Sequence, residues 1–247
     1  MYFFNKKEGK EMLLYYIRHG DPVYAPDSLT ELGRKQAEAL SERLALSGID
    51  EIYCSTSVRA QQTAAPTARK LNLPVNLLDW CSESFAWNEF SISNGREKKW
   101  LFQDEAARKL MVSKRIENFG AKWYECDFFA KTNVKSGIER ISKESRNFFS
   151  KLGYDKSIDG NYYVANKPNE KRIALFAHAG FGMAFLSLLL NIPYPAFCLH
   201  FDMEHSAMTV IRFDGTNFVV PCVLQLNNDS HLYKNCLPTN YNNGIII

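Results

Sequence analysis

No C-x-x-C pair occurs in this sequence. Its six cysteines, at 54, 81, 126, 198, 222 and 236, are scattered. That scatter argues against a structural zinc site and against a disulfide framework, so reduced thiols in a cytoplasmic protein are expected. The N-terminal "MYFF" runs straight into "NKKEGKE" and is too short for the apolar core of a signal peptide. No apolar run nears the roughly 20 residues a membrane helix needs, and the longest is "FGMAFLSLLL". A surplus of one charge is missing too, since 30 Lys and Arg face 27 Asp and Glu for a net +3. Lys6–Lys7 and Lys98–Lys99 are isolated pairs, so no basic block suggests nucleic acid as a partner. Carboxylates are nowhere clustered with metal-ligand spacing, and neither an internal repeat nor a low-complexity segment interrupts the chain. What remains, 46% hydrophobic over 247 residues, suffices for one large core.

A βαβαβ rhythm opens the chain. Leu13–Leu14–Tyr15–Tyr16–Ile17 is a continuous apolar run, as a strand buried on both faces requires. After the loop "DPVYAPDS", the stretch 28–48 predicts a helix, with Leu32, Ala37, Leu40 and Leu44 at helical spacing and Gly48 closing it. "IDEIYCS" is a second strand. A second helix over 56–72 takes Ser57 or Thr56 as N-cap and should be kinked or broken at Pro66. "LPVNLL" is a third strand. The rhythm pauses near residue 80 and resumes near 171. Between lie helical segments over roughly 103–119 and 136–152, together with Trp87, Trp100 and Trp123. "DGNYYVANKPNEKRIALFAH" reads as a hairpin turning at "KPNE" into a fourth core strand, with a helix after it. Two more strands follow, joined by a turn at Asp214–Gly215. The Asn-rich tail from 227 has no period.

The expected fold is therefore α/β: a three-layer α/β/α sandwich with a mostly parallel central sheet and an inserted, partly helical cap. The domain is single, with core about 12–83 and 166–226, cap about 84–165 including the helix that leads back, and tail about 227–247. In such a sheet the ends of parallel strands share one edge, where ligands bind. Strand one ends in Arg18–His19–Gly20. Strand two ends in Ser55, with Arg59 just beyond, and strand four ends in His178. Two arginines and two histidines thus meet beside helix N-termini, whose free N–H groups favour anions. Guanidinium forks match phosphate oxygens, and a neutral imidazole is a nucleophile near pH 7.

Four segments carry a resemblance: "LLYYIRHGD", "SLTELGRKQAEAL", "YCSTSVRAQQTA" and "ALFAHAGFGMAFL". In their order, and in the R-H-G and S-x-x-x-R-A-x-Q-T-A elements, they resemble the histidine phosphatase superfamily, its phosphoglycerate-mutase-like branch. The resemblance covers about two-thirds of the chain and implies roles. His19 would become phosphohistidine, Arg18 and Arg59 would hold the phosphoryl oxygens, and His178 would donate to the transferring group. The proton donor would come from "LLDWCSESFAWNEF", where Glu83 matches best and Asp79 and Glu89 are rivals. His205, and Ser55 at its strand end, would stand behind the pocket; His200 and His231 read as structural or surface residues. The resemblance implies no metal and no cofactor.

The chain departs from that pattern after R-H-G. Asp21–Pro22–Val23–Tyr24 replaces a loop that often carries a phosphate-binding Asn, leaving Tyr24, Ser28 or backbone for that contact. The expected activity is metal-independent hydrolysis of a small phosphomonoester through phosphohistidine. A mutase would clamp a substrate carboxylate with an Arg and a Tyr–Gly pair after its acid, but here Ser84–Phe85–Ala86–Trp87 follow Glu83. A non-catalytic phospho-ligand binder is the alternative of another class, though all four convergent residues are present. The rim must come from the cap. Its tryptophans read as cap core rather than pocket wall, and Arg96, Lys98 and Lys99 as a solvated face. No membrane or nucleic-acid partner is expected, and the sequence leaves the oligomeric state open.

Overall fold

The computed structural model describes residues 10–239 apart from Asn94 and Arg96. Arg96 and the chain ends 1–9 and 240–247 therefore lie outside the described residues. In chain order the elements are β1 (Glu11–Arg18), a small hairpin of β2 (Pro22–Tyr24) and β3 (Asp27–Leu29), α1 (Glu31–Ser47), β4 (Glu51–Ser55), α2 (Val58–Leu71) and β5 (Val75–Leu78). After a 3-10 turn come α3 (Glu83–Glu89), a second small hairpin of β6 (Ser91–Ser93) and β7 (Lys98–Trp100), α4 (Glu105–Met111), α5 (Lys114–Phe119) and α6 (Val134–Lys151). The chain then forms β8 (Tyr154–Lys156), β9 (Tyr163–Ala165), β10 (Arg172–Ala177), α7 (Ala179–Leu189), α8 (Tyr194–His200), β11 (Met208–Asp214), β12 (Cys222–Asn228) and α9 (Ser230–Lys234).

The central sheet has the order β12-β11-β1-β10-β4-β5. β1, β10, β4 and β5 pair in parallel, and β11 runs antiparallel to β1. Alternation along each strand assigns residues to one face or the other. Tyr15 and Ile17 of β1 join Ala174 and Phe176 of β10 under Leu40, Leu44, Ala60 and Ala64 of α1 and α2. Leu14 and Tyr16 join Ile173 and Leu175 under α6 and α7 on the opposite face. This is the expected three-layer α/β fold. Since α1 leaves β1 on one face and α7 leaves β10 on the other, the crevice opens between those two adjacent strand ends.

Several boundaries differ from expectation. β9 pairs with β8, so the hairpin spans 154–165 and "KPNE" is only a link into β10. The connection from β11 to β12 runs over seven residues, 215–221, rather than a tight turn at Asp214–Gly215, because it detours to bridge Val219 to Tyr163. The segment 103–119 is two helices, the second starting after Ser113 at its N-cap. Pro66 does not break α2, whose buried face, Ala60, Thr63, Ala64, Pro66 and Thr67, packs on β4 and α1. The tail is ordered through α9: Arg43 donates to Asn228 and Ser230 (both 2.6 Å), and His231 is buried.

Candidate active site

β1 delivers Arg18 and His19 to the crevice. The His19 N–H donates to Ala177 (3.0 Å) and its carbonyl accepts from the Ser206 N–H (3.1 Å), so the loop is fixed on both sides. His19 Nδ1 lies 2.7 Å from the Gly20 carbonyl. A carbonyl only accepts, so Nδ1 carries the proton and Nε2 holds the lone pair. Burial, then His178 and Arg18, push His19 well below the ordinary histidine pKa, so the ring is neutral near pH 7. Gly20 is needed for close approach. A Cβ there would lie 2.7 Å from the Gly33 carbonyl oxygen, and one on Gly33 would lie 2.2 Å from that of Asp21. The Gly20 N–H donates to Thr63 (3.0 Å) and the Asp21 N–H to Gln36 (2.8 Å), tying the loop to α2 and α1.

Both arginines are held before any ligand arrives. Buried Arg18 donates to the Met203 carbonyl and to His205 Nε2 (2.6 Å). Burial draws its pKa down, opposed by Tyr24, Glu204 and Glu83. Arg59 pairs with Asp27 (2.8 Å), which also accepts the Val58 N–H at the start of α2 (2.8 Å). The Tyr24 ring covers its guanidinium at 5.4 Å. Asp27 was not identifiable from sequence, because it meets Arg59 only through the β2–β3 hairpin.

His178 follows β10, its ring centroid 5.2 Å from that of His19. Arg59 Nη2 lies 3.2 Å from His178 Nδ1, and a guanidinium only donates, so Nδ1 accepts. Nε2–H then points to Ser55 Oγ (2.8 Å), with Ser57 Oγ at 3.3 Å. The Ser55 hydroxyl can also donate, so the same pair serves when Nδ1 carries the proton. Burial, Arg59 and Arg18 push His178 well below its ordinary value. The His205 ring lies tilted beside that of His19, centroids 5.6 Å apart, and is depressed to about 3, mainly by burial and then by Arg18. Its Nε2 accepts from Arg18, leaving Nδ1–H facing Asp21 at 3.6 Å. Next in the chain, Ser206 adopts φ 62° and bonds His231 Nε2 (2.9 Å).

Glu83, at the start of α3, lines the cavity. Its two oxygens accept the N–H groups of Gly180 (3.0 Å) and Phe181 (2.9 Å) in the first turn of α7. Burial raises its pKa above the ordinary carboxylate value, and those two hydrogen bonds oppose the rise. The rivals are placed elsewhere. Glu89 forms a two-pronged ion pair with Arg140 (both 2.6 Å), and Asp79 accepts from Thr56 (2.9 Å). Neither is among the cavity-lining residues.

The cavity holds about 500 Å³ and reaches from His19, Arg18, Arg59 and Glu83 out to α4 and α8. Tyr24 lines it; Ser28 does not, and donates to Pro26 instead. One expectation needs correction. Trp100 is cavity wall rather than cap core, because Gly180 leaves room for its ring, whereas Trp123 is buried core. His200 stands on the cavity rim, since α8 ends there. The extra cation lining the cavity is Arg108, while Lys98 bonds Asn88 and Lys99 pairs with Glu97. Among the described residues, no group of three or more His, Cys, Asp or Glu is placed to hold a metal ion, and no helix is long and apolar enough to cross a membrane.

Comparison with known proteins agrees with this architecture. The family model of the histidine phosphatase superfamily (branch 1) matches residues 14–108, which contain both arginines, His19 and Glu83. The adenosylcobalamin/alpha-ribazole phosphatase of Escherichia coli K12 is 25% identical over 209 residues, covering 81% of this chain and 89% of that one. A phosphoserine phosphatase of Entamoeba histolytica, solved with phosphoserine, superposes with TM-score 0.57 at 20% identity over 90% of this chain and 99% of that one. A mycobacterial glucosyl-3-phosphoglycerate phosphatase does so with TM-score 0.55 at 16% identity, over 88% and 99%. With the R-H-G loop and the second histidine joined at one sheet edge, the chain is similar, in the segment 14–108 and in its overall fold, to the histidine phosphatase superfamily.

Proposed function

We propose that this protein is a phosphatase that hydrolyses a small phosphomonoester through a phosphoryl group carried on His19. The carrying observation is the bond from His19 Nδ1 to the Gly20 carbonyl, which reserves the Nε2 lone pair for attack. Nε2 attacks phosphorus, the bond to the alcohol oxygen breaks, and Glu83 gives that oxygen its proton. Water then attacks the phosphohistidine. It returns a proton to the Glu83 carboxylate, the P–N bond breaks, and phosphate leaves with His19 neutral again. Arg18, Arg59 and His178 offset the charge on the transferring oxygens, as positioned cations and donors do in phosphoryl transfer. A phosphate dianion competes with Asp27 and His178 for Arg59 and frees His178 Nδ1. The ring then gives its Nε2 proton to solvent and takes one at Nδ1, which donates to the phosphoryl group while Ser55 reverses its hydroxyl to donate to Nε2. His205 and Ser55 position Arg18 and His178 and touch no substrate. Residues 84–165 act as the cap that sets specificity, and the six free thiols suit the cytoplasm.

Turnover of 4-nitrophenyl phosphate in EDTA, followed by acid quench, tests the reading. The wild type is expected to stay active in EDTA and to yield an acid-labile phosphoryl label on His19. His19→Ala should lose the label and on the order of a thousandfold or more in rate. Unlabelled protein at steady state in a turning-over sample would refute the covalent route.

A further inference from the structure

We propose that the alcohol portion of the substrate is a flat, apolar ring held against Trp100. The inference rests on the phosphatase reading above and adds the substrate class. An alcohol oxygen protonated by Glu83 must leave on the Glu83 side of the phosphate pocket. Glu83 is held there by the Gly180 N–H (3.0 Å). Gly180 is in turn the seat of the Trp100 ring: a Cβ on it would fall 2.3 Å from Cη2 and 2.6 Å from Cζ2 of that indole. The indole is therefore the next surface the leaving group meets.

The ring is braced for such a role. Trp87 packs edge-on against it at 4.9 Å, and Phe102 stacks nearly parallel to it at 5.6 Å and 12°. Met183, one turn along α7, with Leu199 and Phe201 extends the apolar lining. These residues are buried or half-buried, whereas the other outer polar side chains, Gln103, Arg108, His200 and Asp202, are exposed at the rim. Against the indole, Met183 and Leu199 a polyol or amino-acid alcohol would find polar partners for its hydroxyl or ammonium groups only out at the rim. A planar ring would instead exchange water for aromatic and thioether contacts.

The test uses esters whose alcohols have similar acidity, so that chemistry does not mask recognition. kcat/KM is measured for 2-phenylethyl phosphate, ethyl phosphate, glycerol 3-phosphate and O-phosphoserine, and binding of 2-phenylethylphosphonate and ethylphosphonate is measured by calorimetry. The phenyl ester should exceed each of the others by about tenfold or more, the size of one good aromatic contact plus its buried area. Trp100→Leu keeps apolar bulk on Gly180 but removes the π face, and should cut the phenylethyl-to-ethyl ratio several-fold. Phe102→Ala should lower it less. Equal turnover of the phenyl and non-aromatic esters would overturn the ring proposal and leave the phosphatase reading standing. No turnover of any ester, with tighter binding of the phenyl phosphonate, would do the reverse. Equal binding of the two phosphonates would overturn the ring proposal whatever the turnover.

Discussion

Glu83 has two duties that pull its charge in opposite directions. As a partner for two N–H groups of α7 it favours the carboxylate; as a buried acid it favours the proton, and burial is the larger effect. Glu83→Gln separates the duties. Loss of the proton donor should slow alkyl phosphates by roughly 10²–10⁴, while 4-nitrophenyl phosphate, whose leaving group departs unprotonated, should lose far less. Equal losses on both would assign Glu83 to α7 alone. The pH profile carries the same signs. Because His19 is depressed, kcat/KM should hold as pH falls past about 6.5, the ordinary histidine value. The basic limb, set by the raised Glu83, should vanish in Glu83→Gln. The convergence of Arg18, His19, Arg59 and His178 was legible in the sequence because each closes, or closely follows, an apolar strand. Asp27 and Arg108 were not, because no local pattern marks a carboxylate that will meet an arginine 32 positions on, or a helix that will fold back over a cavity.

At the scale of elements, the R-H-G loop depends on how closely α1 approaches β1. Gly33, inside the first turn of α1, has only 2.2 Å between an added Cβ and the Asp21 carbonyl oxygen, which is backbone and cannot rotate away. Gly33→Ala gains up to about 1 kcal/mol of helix propensity but incurs an overpacking penalty of roughly 1–3 kcal/mol. Urea unfolding should therefore show a net loss of about 1–2 kcal/mol, and activity should fall beyond what that loss explains as Gly20 and His19 shift. Unchanged stability would mean that α1 slides freely over the loop. The parallel strands β1 and β10 were readable because burial on both faces demands unbroken apolar runs. The β8–β9 pairing was not, since short alternating strands do not encode their partner and a "KPNE" between two of them looks like a turn.

Across the whole molecule, the native state keeps several buried histidines neutral, which makes folding sensitive to acid. His231 is 2% exposed and depressed to about 4, by burial first and then by Arg43, with Asp229 opposing. Above about pH 6.5 both folded and unfolded chains carry it neutral, so its packing stabilises in full. Between about 6.5 and 4 the unfolded chain binds a proton that the folded one refuses, and stability falls by about 1.4 kcal/mol per pH unit for this group alone. Below that window both forms are protonated and the loss stops growing. His231 also joins α9 to the His19 loop, through Ser206 Oγ (2.9 Å) and the Ser206 N–H that holds the His19 carbonyl (3.1 Å). His231→Gln retains a hydrogen-bonding group for Ser206 but cannot titrate. Urea unfolding from pH 7 to 4 should show the variant's stability declining less steeply, by about one proton's slope. His231→Ala keeps the shallower slope but takes the partner from the Ser206 hydroxyl, and should also lower kcat on 4-nitrophenyl phosphate. Identical slopes in wild type and His231→Gln would mean that α9 opens before the rest of the fold, and that the His19 loop stands without it.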